Sequence, residues 1–419
     1  MPDTYDPKEG IPILKKFALF LLAAAVTLTP LSRVAHAAEE PELAAEAAVL
    51  MDADSGQILY AKAADRQMAP ASLTKLLTAL VALEELDPAG TVTVSEEAAD
   101  LPAWGSSADL EAGEELTVDD VLYALMLPSA NEAANVLAEA VDGSEEAFVE
   151  RLNARAAALG ADNTHFENAH GLPARRHYTT ARDLAAITRA ALETPGFLDY
   201  FGTAFHTLPA TDLSPERTLG HTHRMLRPDR EEYDPTVIGG KTGYTMQAGY
   251  TLATVARRDG RTLIAIVLHS DEFYADTRKL FDYGFSNFSP AVVPVEGAGL
   301  MTLGKTEEGV GSVEAVCEVP DQLELLLPQG LTLSDLTVEV ESSLDPLSQQ
   351  QSSTELVVYA GGEELFSQTL DFLSWSAELE NAAPVLAEGV SPGDAAAVAG
   401  AFGVMAVVSV LGYRRRCRV

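Results

Sequence analysis

Three short polar motifs, far apart in the chain, contain the residue types needed for nucleophilic chemistry. The first is Ser72-Leu-Thr-Lys75, which follows Pro70-Ala71 at the start of a predicted helix. Positions i and i+3 share one helical face, so the lysine amine can reach the serine hydroxyl. A helix N-terminus also favours negative charge on the serine oxygen. The amine can accept the serine proton only if its pKa falls well below the ordinary value of about 10.4.

The second motif, Ser129-Ala-Asn131, follows Pro128 between two predicted helices. A hydroxyl at this position can relay a proton, and an amide can hydrogen-bond both the lysine and a substrate carbonyl. The alternative interpretation is a plain helix N-cap, since serine and asparagine are favoured there. The motif taken alone leaves both open.

The third motif, Lys241-Thr-Gly243, stands at the end of a predicted strand. Lysine and threonine supply a cation and a hydroxyl for a carboxylate, and glycine lets a peptide lie against the strand edge. An ordinary turn after a strand is the alternative. Together the motifs indicate a serine nucleophile acting on a substrate that ends in a free carboxylate.

The elements that must position these motifs lie between residues 45 and 290. The patterns predict strands at both ends of this segment and helices in the middle, so we expect one antiparallel sheet assembled from distant segments, with a helical subdomain. The predicted strands are Ala47–Asp52, Gln57–Tyr60, Thr236–Lys241, Gly249–Arg257 and Thr262–His269, and the predicted helices are Ser72–Leu86, Val118–Leu127, Glu132–Val141, Glu145–Leu159, Ala181–Leu192 and Tyr274–Tyr283.

Short β-rich runs follow in residues 291–376, and they predict a small β-sandwich. No cluster of histidine or acidic residues resembling a site occurs there, which favours a spacer or interaction module. Residues 377–393 are rich in Ala, Glu, Pro and Gly and are predicted to form a linker.

Both ends of the chain contain membrane-targeting patterns. Residues 1–38 contain a lysine pair, a short apolar run and Ala35-His-Ala37, the order typical of a secretory signal peptide. Residues 394–413 are long and apolar enough for a transmembrane anchor, and the arginine-rich residues 414–419 predict a cytoplasmic tail. The segment between them is therefore expected on the outer face of the cytoplasmic membrane.

Composition excludes several other classes. With 63 acidic and 28 basic residues the formal charge is −35, which disfavours nucleic-acid partners. The two cysteines, Cys317 and Cys417, do not suggest an intramolecular disulfide. The eight histidines form no recognisable ligand motif, so neither a metal nor another cofactor is expected. The absence of G-x-S-x-G argues against an α/β-hydrolase.

The order S-x-x-K, S-x-N, K-T-G resembles that of the serine penicillin-recognising enzymes. The chain resembles the D-alanyl-D-alanine carboxypeptidases, the low-molecular-mass penicillin-binding proteins, over nearly all its length. Further similar segments are Met68–Lys75, Phe166–Pro173, Thr179–Leu184 and Gly239–Thr245.

The resemblance implies a mixed α/β fold of the β-lactamase and transpeptidase type. It also implies acylation of Ser72 by the penultimate D-alanine of a peptidoglycan stem peptide, or by a β-lactam. The roles implied are base for Lys75, proton relay for Ser129, positioning for Asn131, carboxylate binding for Lys241 and Thr242, close approach at Gly243, and an oxyanion hole from the backbone amides of Ser72 and Tyr244.

Three alternatives stay open. A β-lactamase shares the three motifs but needs fast deacylation, and no trustworthy water-activating glutamate motif is present. An endopeptidase acting on cross-links is a neighbouring possibility. A binding-only wall protein is disfavoured because Ser72, Lys75 and Lys241 are intact.

Overall fold

The computed structural model describes residues 39–379 except residues 103 and 309. Within these limits the chain forms two compact units. The first contains the described residues up to 294 together with 322–337 and 358–366, and the second contains 295–321, 338–357 and 367–379.

Eight α-helices occur in the described residues, and four of them begin at a capping side chain. Each cap accepts a hydrogen bond from a backbone N–H of the first helical turn, which satisfies donors that the helix leaves unpaired. The four caps are Ser95, Thr117, Ser144 and Thr180. The helices are α1 Lys75–Glu85, α2 Glu96–Ala99, α3 Val118–Met126, α4 Asn131–Asp142, α5 Glu145–Ala158, α6 Ala181–Glu193, α7 Phe197–Gly202 and α8 Phe273–Asn287.

Strands are numbered β1 to β17 over the same residues. They are β1 Ala47–Asp52, β2 Ile58–Lys62, β3 Thr91–Thr93, β4 Glu115–Thr117, β5 Phe205–Leu208, β6 Arg217–Gly220, β7 Val237–Thr245, β8 Gly249–Arg258, β9 Arg261–Leu268, β10 Phe288–Pro294, β11 Gly299–Glu307, β12 Gly311–Val319, β13 Gln322–Pro328, β14 Leu336–Ser343, β15 Ser353–Ala360, β16 Glu363–Thr369 and β17 Phe372–Leu379.

The main sheet has the order β2-β1-β9-β8-β7, with every neighbouring pair antiparallel. Alternate residues of β1 face opposite cores, because successive side chains of a strand point to opposite faces. Val49 and Met51 join the larger core with the helices, while Leu50 joins the smaller core that contains Leu280 and Phe281 of α8. The predicted antiparallel sheet built from distant segments is confirmed, as is the helical block.

Helix α1 runs through the larger core, and this position explains why its first residue, Lys75, is buried. Lys75 and every following residue to Ala82 are buried. Apolar residues such as Leu76, Leu77 and Leu80 stabilise this position, since each buried leucine contributes about 2 kcal/mol through removal of apolar surface from water.

The second unit contains an antiparallel sheet of order β11-β12-β17. Val313, Ala315 and Leu344 form a small core in this unit. By contrast, β10 and β13 pair with each other inside the first unit, where the Gln57 side chain bonds the backbone of Leu326 in both directions at 3.0 and 2.8 Å.

None of the helices in the described ranges is both long and apolar enough to cross a membrane. The predicted signal peptide (1–38), transmembrane anchor (394–413) and basic tail (414–419) lie outside the described residues. Of the predicted linker, residues 377–379 belong to β17 and the remainder is also outside.

Candidate active site

Ser72 lies in a tight turn rather than in the helix itself. Residues Ala71–Thr74 form one 3₁₀ turn, and α1 begins only at Lys75. Ala71 has a φ of +50°, a left-handed conformation that costs a non-glycine residue about 1 kcal/mol or more. This turn places the serine between the helical core and strand β7.

The Lys75 amine is completely buried and has three oxygen neighbours. Its Nζ lies 2.7 Å from Asn131 Oδ1, 2.6 Å from the backbone oxygen of His170 and 3.2 Å from Ser72 Oγ. Burial is the main factor that holds the pKa of Lys75 well below its ordinary value; the Lys241 charge lowers it further and Glu132 opposes the shift.

This arrangement sets the direction of proton transfer. A neutral amine has two N–H donors and one lone pair. The amide oxygen of Asn131 and the carbonyl of His170 can only accept, so they take both hydrogens. The lone pair that is left faces Ser72, whose hydroxyl then donates to it, which is the geometry of a general base.

Ser129 and Asn131 lie where α3 passes into α4. Ser129 has a φ of +69° and is 3% exposed, and its Oγ has no hydrogen-bond partner among the described residues. Asn131 is the first residue of α4, and its backbone N–H donates to Ser106 at 2.9 Å. A buried hydroxyl without a partner that also lines the cleft is suited to exchange a proton with a bound substrate.

Strand β7 brings the third motif against the serine turn. An added Cβ at Gly243 would lie 3.0 Å from the Ser72 amide nitrogen and 2.4 Å from Thr251 Oγ1, so only glycine allows this approach. Lys241 is completely buried, and its Nζ donates to the backbone oxygen of Thr242 at 3.0 Å. Desolvation lowers the pKa of Lys241 to about 7.

These segments line a cleft of about 780 Å³, and six of the eight predicted site residues lie on its wall. The other two, Lys75 and Lys241, are fully buried behind it. The lining residues are Ser72, Trp104, Gly105, Ser106, Ser129, Asn131, Gly171, Leu172, Pro173, Thr222, Arg224, Thr242, Gly243, Tyr244, Thr245, Met246, Gln247, Tyr250, Thr251, Phe273 and Tyr274.

Tyr244 has an exposed side chain at the cleft, although the resemblance assigns a role only to its backbone. Its side chain is 57% exposed and its ring lies 4.6 Å from that of Tyr250, centroid to centroid. Tyr250 in turn stacks on Phe273 at 5.0 Å. An aromatic wall therefore continues outward from the end of β7.

Sequence reasoning assigned no role to two residues of the site. His170 contributes its backbone oxygen to Lys75, and Thr222 Oγ1 lies 2.6 Å from Thr242 Oγ1 on the cleft wall. The His170-Gly-Leu172 segment was noted only for its resemblance, because a backbone acceptor leaves no signal in residue type. Thr222 belongs to none of the motifs that the sequence singles out.

Among the described residues one group has metal-like spacing, formed by Asp119, Asp120 and His206. It does not line the cleft. Its atoms already bond one another and Tyr200, with His206 Nε2 2.9 Å from Asp120 Oδ1 and the Tyr200 hydroxyl donating to Asp119 at 2.8 Å. The arrangement is explained by these bonds.

The fold and cleft are those of a serine enzyme that acts on a carbonyl group. The D-alanyl-D-alanine carboxypeptidase family model (peptidase family S11) matches residues 34–272. The chain belongs to this family and has the mixed α/β fold of penicillin-binding DD-peptidases; it is a serine-type hydrolase.

Individual relatives agree with this assignment. The chain is 31% identical to the D-alanyl-D-alanine carboxypeptidase DacF of Bacillus subtilis, over 77% of this chain and 84% of that protein. It is 34% identical to DacB2 of Mycobacterium tuberculosis, over 59% and 84%. Among solved structures, penicillin-binding protein 6B of Escherichia coli matches with a TM-score of 0.60 and 29% identity, covering 80% of this chain and 97% of that one.

Proposed function

We propose that this chain is a serine-type D-alanyl-D-alanine carboxypeptidase that removes the terminal D-alanine from peptidoglycan stem pentapeptides. The observation that carries the proposal is the Ser72–Lys75 pair, with Oγ and Nζ 3.2 Å apart and both amine hydrogens taken by other acceptors. The serine is thereby set to lose its proton to the amine as it attacks a carbonyl carbon.

In the acylation step Ser72 Oγ forms a bond to the carbonyl carbon of the penultimate D-alanine while Lys75 takes the hydroxyl proton. The carbonyl oxygen becomes an oxyanion, which the backbone amides of Ser72 and Tyr244 bind. As the peptide bond breaks, Ser129 passes a proton from Lys75 to the leaving nitrogen, and free D-alanine departs. Asn131 holds the amine in position throughout.

Recognition of the terminal carboxylate falls to Lys241 and Thr242. Within the described residues the Lys241 amine forms no ion pair with a protein carboxylate, and its hydrogen bond is to a neutral backbone oxygen. A substrate carboxylate supplies the missing negative charge in a dry environment, where charge-assisted hydrogen bonds are strong. The Thr222 hydroxyl, which lies beside the Thr242 hydroxyl, enlarges the polar surface at this position.

In deacylation, water attacks the ester on Ser72 and releases the shortened peptide. A β-lactam carries a comparable carboxylate and a strained amide, so it acylates Ser72 by the same route. Slow hydrolysis of that ester is expected of a carboxypeptidase and rapid hydrolysis of a β-lactamase.

We also propose an exported protein anchored to the cytoplasmic membrane, with the catalytic domain outside the cytoplasm and a role in cell wall biogenesis. The support is the pattern in residues 1–38 and 394–413. In this proposal residues 45–290 form the catalytic domain and 291–376 a small β-sandwich. Fractionation of expressing cells tests it: the full chain should sediment with membranes, and a chain ending at residue 379 should not.

The activity is tested by incubating the ectodomain, residues 39–379, with a pentapeptide ending in two D-alanines and measuring free D-alanine. The matched control is Ser72→Ala, which keeps the turn and lacks the nucleophile. In parallel, a fluorescent penicillin should label the native protein covalently and leave Ser72→Ala unlabelled. Absence of both D-alanine release and label from the native protein would refute the proposal, whereas rapid loss of the label would indicate a β-lactamase. Release only from cross-linked dimers would indicate an endopeptidase.

A further inference from the structure

A buried chain of hydrogen bonds runs from the segment after α5 to the turn that carries Ser72. The backbone N–H of Glu167 donates to His177 Nδ1 at 3.1 Å, and His177 Nε2 lies 2.8 Å from Thr74 Oγ1. The Thr74 hydroxyl donates to the backbone oxygen of Ala71 at 3.0 Å. Thr74 is completely buried and His177 is 4% exposed, so water does not compete for these bonds.

The chain of bonds has only one possible direction. Because the Glu167 N–H can only donate, His177 Nδ1 must be the acceptor, and a neutral ring then carries its proton on Nε2. That proton donates to Thr74 Oγ1, which leaves the threonine hydrogen for Ala71.

Neutral His177 agrees with its surroundings. Burial lowers the pKa of His177 to about 4; the Glu167 carboxylate opposes the shift, while His165 and Lys75 add to it. The other titratable neighbour, His170, is likewise held neutral, with a pKa of about 3 that is lowered mainly by burial.

The end of the chain of bonds is the peptide unit that joins Ala71 to Ser72. Peptide units are planar and trans, so the C=O of Ala71 and the N–H of Ser72 point in opposite directions from one rigid plane. Holding the carbonyl inward therefore aims the Ser72 N–H outward, toward the side where a Cβ on Gly243 would lie 3.0 Å from the nitrogen. That N–H is one of the two proposed oxyanion donors.

A second contact fixes the same carbonyl. Gly171 comes so close that an added Cβ would lie 1.9 Å from the Ala71 oxygen and 2.9 Å from Thr74 Oγ1. The left-handed Ala71 does not hold this orientation through its own backbone preference. The surrounding contacts must hold it instead.

We propose that His177, acting through Thr74, is a positioning residue that orients the Ala71–Ser72 peptide unit and so aims the Ser72 amide at the developing oxyanion. The inference rests on the proposed acylation of Ser72. It adds a function for a histidine that is not on the cleft wall and that the reaction itself does not use.

The test uses two pairs of variants in the ectodomain, with the second-order rate of acylation by a fluorescent penicillin as the readout. Thr74→Val removes the hydroxyl at nearly constant shape, and Thr74→Ser restores it. His177→Leu removes the ring donor, and His177→Gln restores an N–H at a similar reach. We expect Thr74→Val and His177→Leu to slow acylation about 10- to 100-fold, and the restoring variants to stay within about threefold of native.

A double-mutant cycle separates positioning from general damage. If both side chains act through one chain of bonds, Thr74→Val combined with His177→Leu should be no slower than the slower single variant. Thermal unfolding of each variant shows whether it is folded. If Thr74→Val or His177→Leu does not fold, the acylation rates are compared in Thr74→Ser and His177→Gln instead.

Two results would overturn the inference. One is native acylation rates in folded Thr74→Val, and the other is full additivity of the two losses. Failure of the native protein to be labelled would instead refute the proposed function, and this inference with it.

Discussion

Replacing Gly243 by alanine probes the narrowest approach in the cleft. The new Cβ would lie 2.4 Å from Thr251 Oγ1, 3.0 Å from the Ser72 amide nitrogen and 3.1 Å from the Ala71 Cβ. Ordinary contact for a Cβ begins near 3.4 Å, so relief of the closest contact requires a movement of 3.4 − 2.4 = 1.0 Å. Rotation of the Thr251 side chain away from the new Cβ would break the hydrogen bond that its hydroxyl donates to the backbone of Pro70 at 3.1 Å.

The expected losses of acylation rate and stability follow from which segments of the backbone must move. Either β7 moves away from the serine turn or the turn moves with Thr251, and both change the distance between the Ser72 amide and β7 by close to 1 Å. A displacement of this size in a reacting site lowers the rate about 100-fold. The same crowding lowers the free energy of unfolding by about 1–3 kcal/mol, because inserting a methyl group into a packed region forces local strain.

The assay is the second-order rate of acylation by a fluorescent penicillin, with thermal unfolding measured alongside. The matched control is Gly304→Ala in strand β11, where the nearest atom to an added Cβ is the Val313 oxygen at 3.8 Å. We expect Gly304→Ala to be acylated at the native rate. Native acylation of a stable Gly243→Ala protein would show that the approach of β7 to Ser72 does not govern the reaction.

Three further results are expected. Lys241 has a pKa of about 7 and loses its charge as pH rises through 7, so kcat/KM for D-alanine release from a pentapeptide should fall above pH 7. The Lys241→Met variant should have a lower kcat/KM at pH 6 and no such fall above pH 7, and an unchanged fall in this variant would contradict the role of Lys241. Ser129→Ala removes a buried hydroxyl that has no partner among the described residues, so the melting temperature of the variant should equal or exceed the native value. Its rate of acylation should fall at least about 100-fold, and an unaltered rate would exclude Ser129 as the proton relay. His177 has a pKa of about 4 in the folded protein against an ordinary 6.5, so the unfolded chain binds the extra proton and the free energy of unfolding falls as pH drops from 6.5 to 4. Protonation of His177 lowers the free energy of unfolding by about 3 kcal/mol between pH 7 and pH 4. Urea unfolding at the two pH values should show this loss in the native protein, and His177→Gln should lack it.

The elements around the site could be predicted wherever one residue pattern dominates. Strand β1 is predicted at the bounds observed, Ala47–Asp52, because five successive apolar residues lead through Asp52 into a turn. The short strand pairs β3–β4 and β5–β6 are not predicted, since three or four residues contain too little periodicity to distinguish a strand from a loop. The predicted helix Ser72–Leu86 begins instead as a 3₁₀ turn, a distinction that side-chain periodicity does not encode.

The sequence by itself determined the chemistry available to this protein, because the types and order of Ser72, Lys75, Ser129, Asn131 and Lys241 are a covalent property of the chain. Tertiary structure alone decided that the pKa of Lys75 lies well below its ordinary value and which of its three neighbours can donate to its uncharged amine. Burial and hydrogen-bond direction depend on which distant segments pack together, and backbone groups such as the carbonyls of His170 and Ala71 are the same in every residue type.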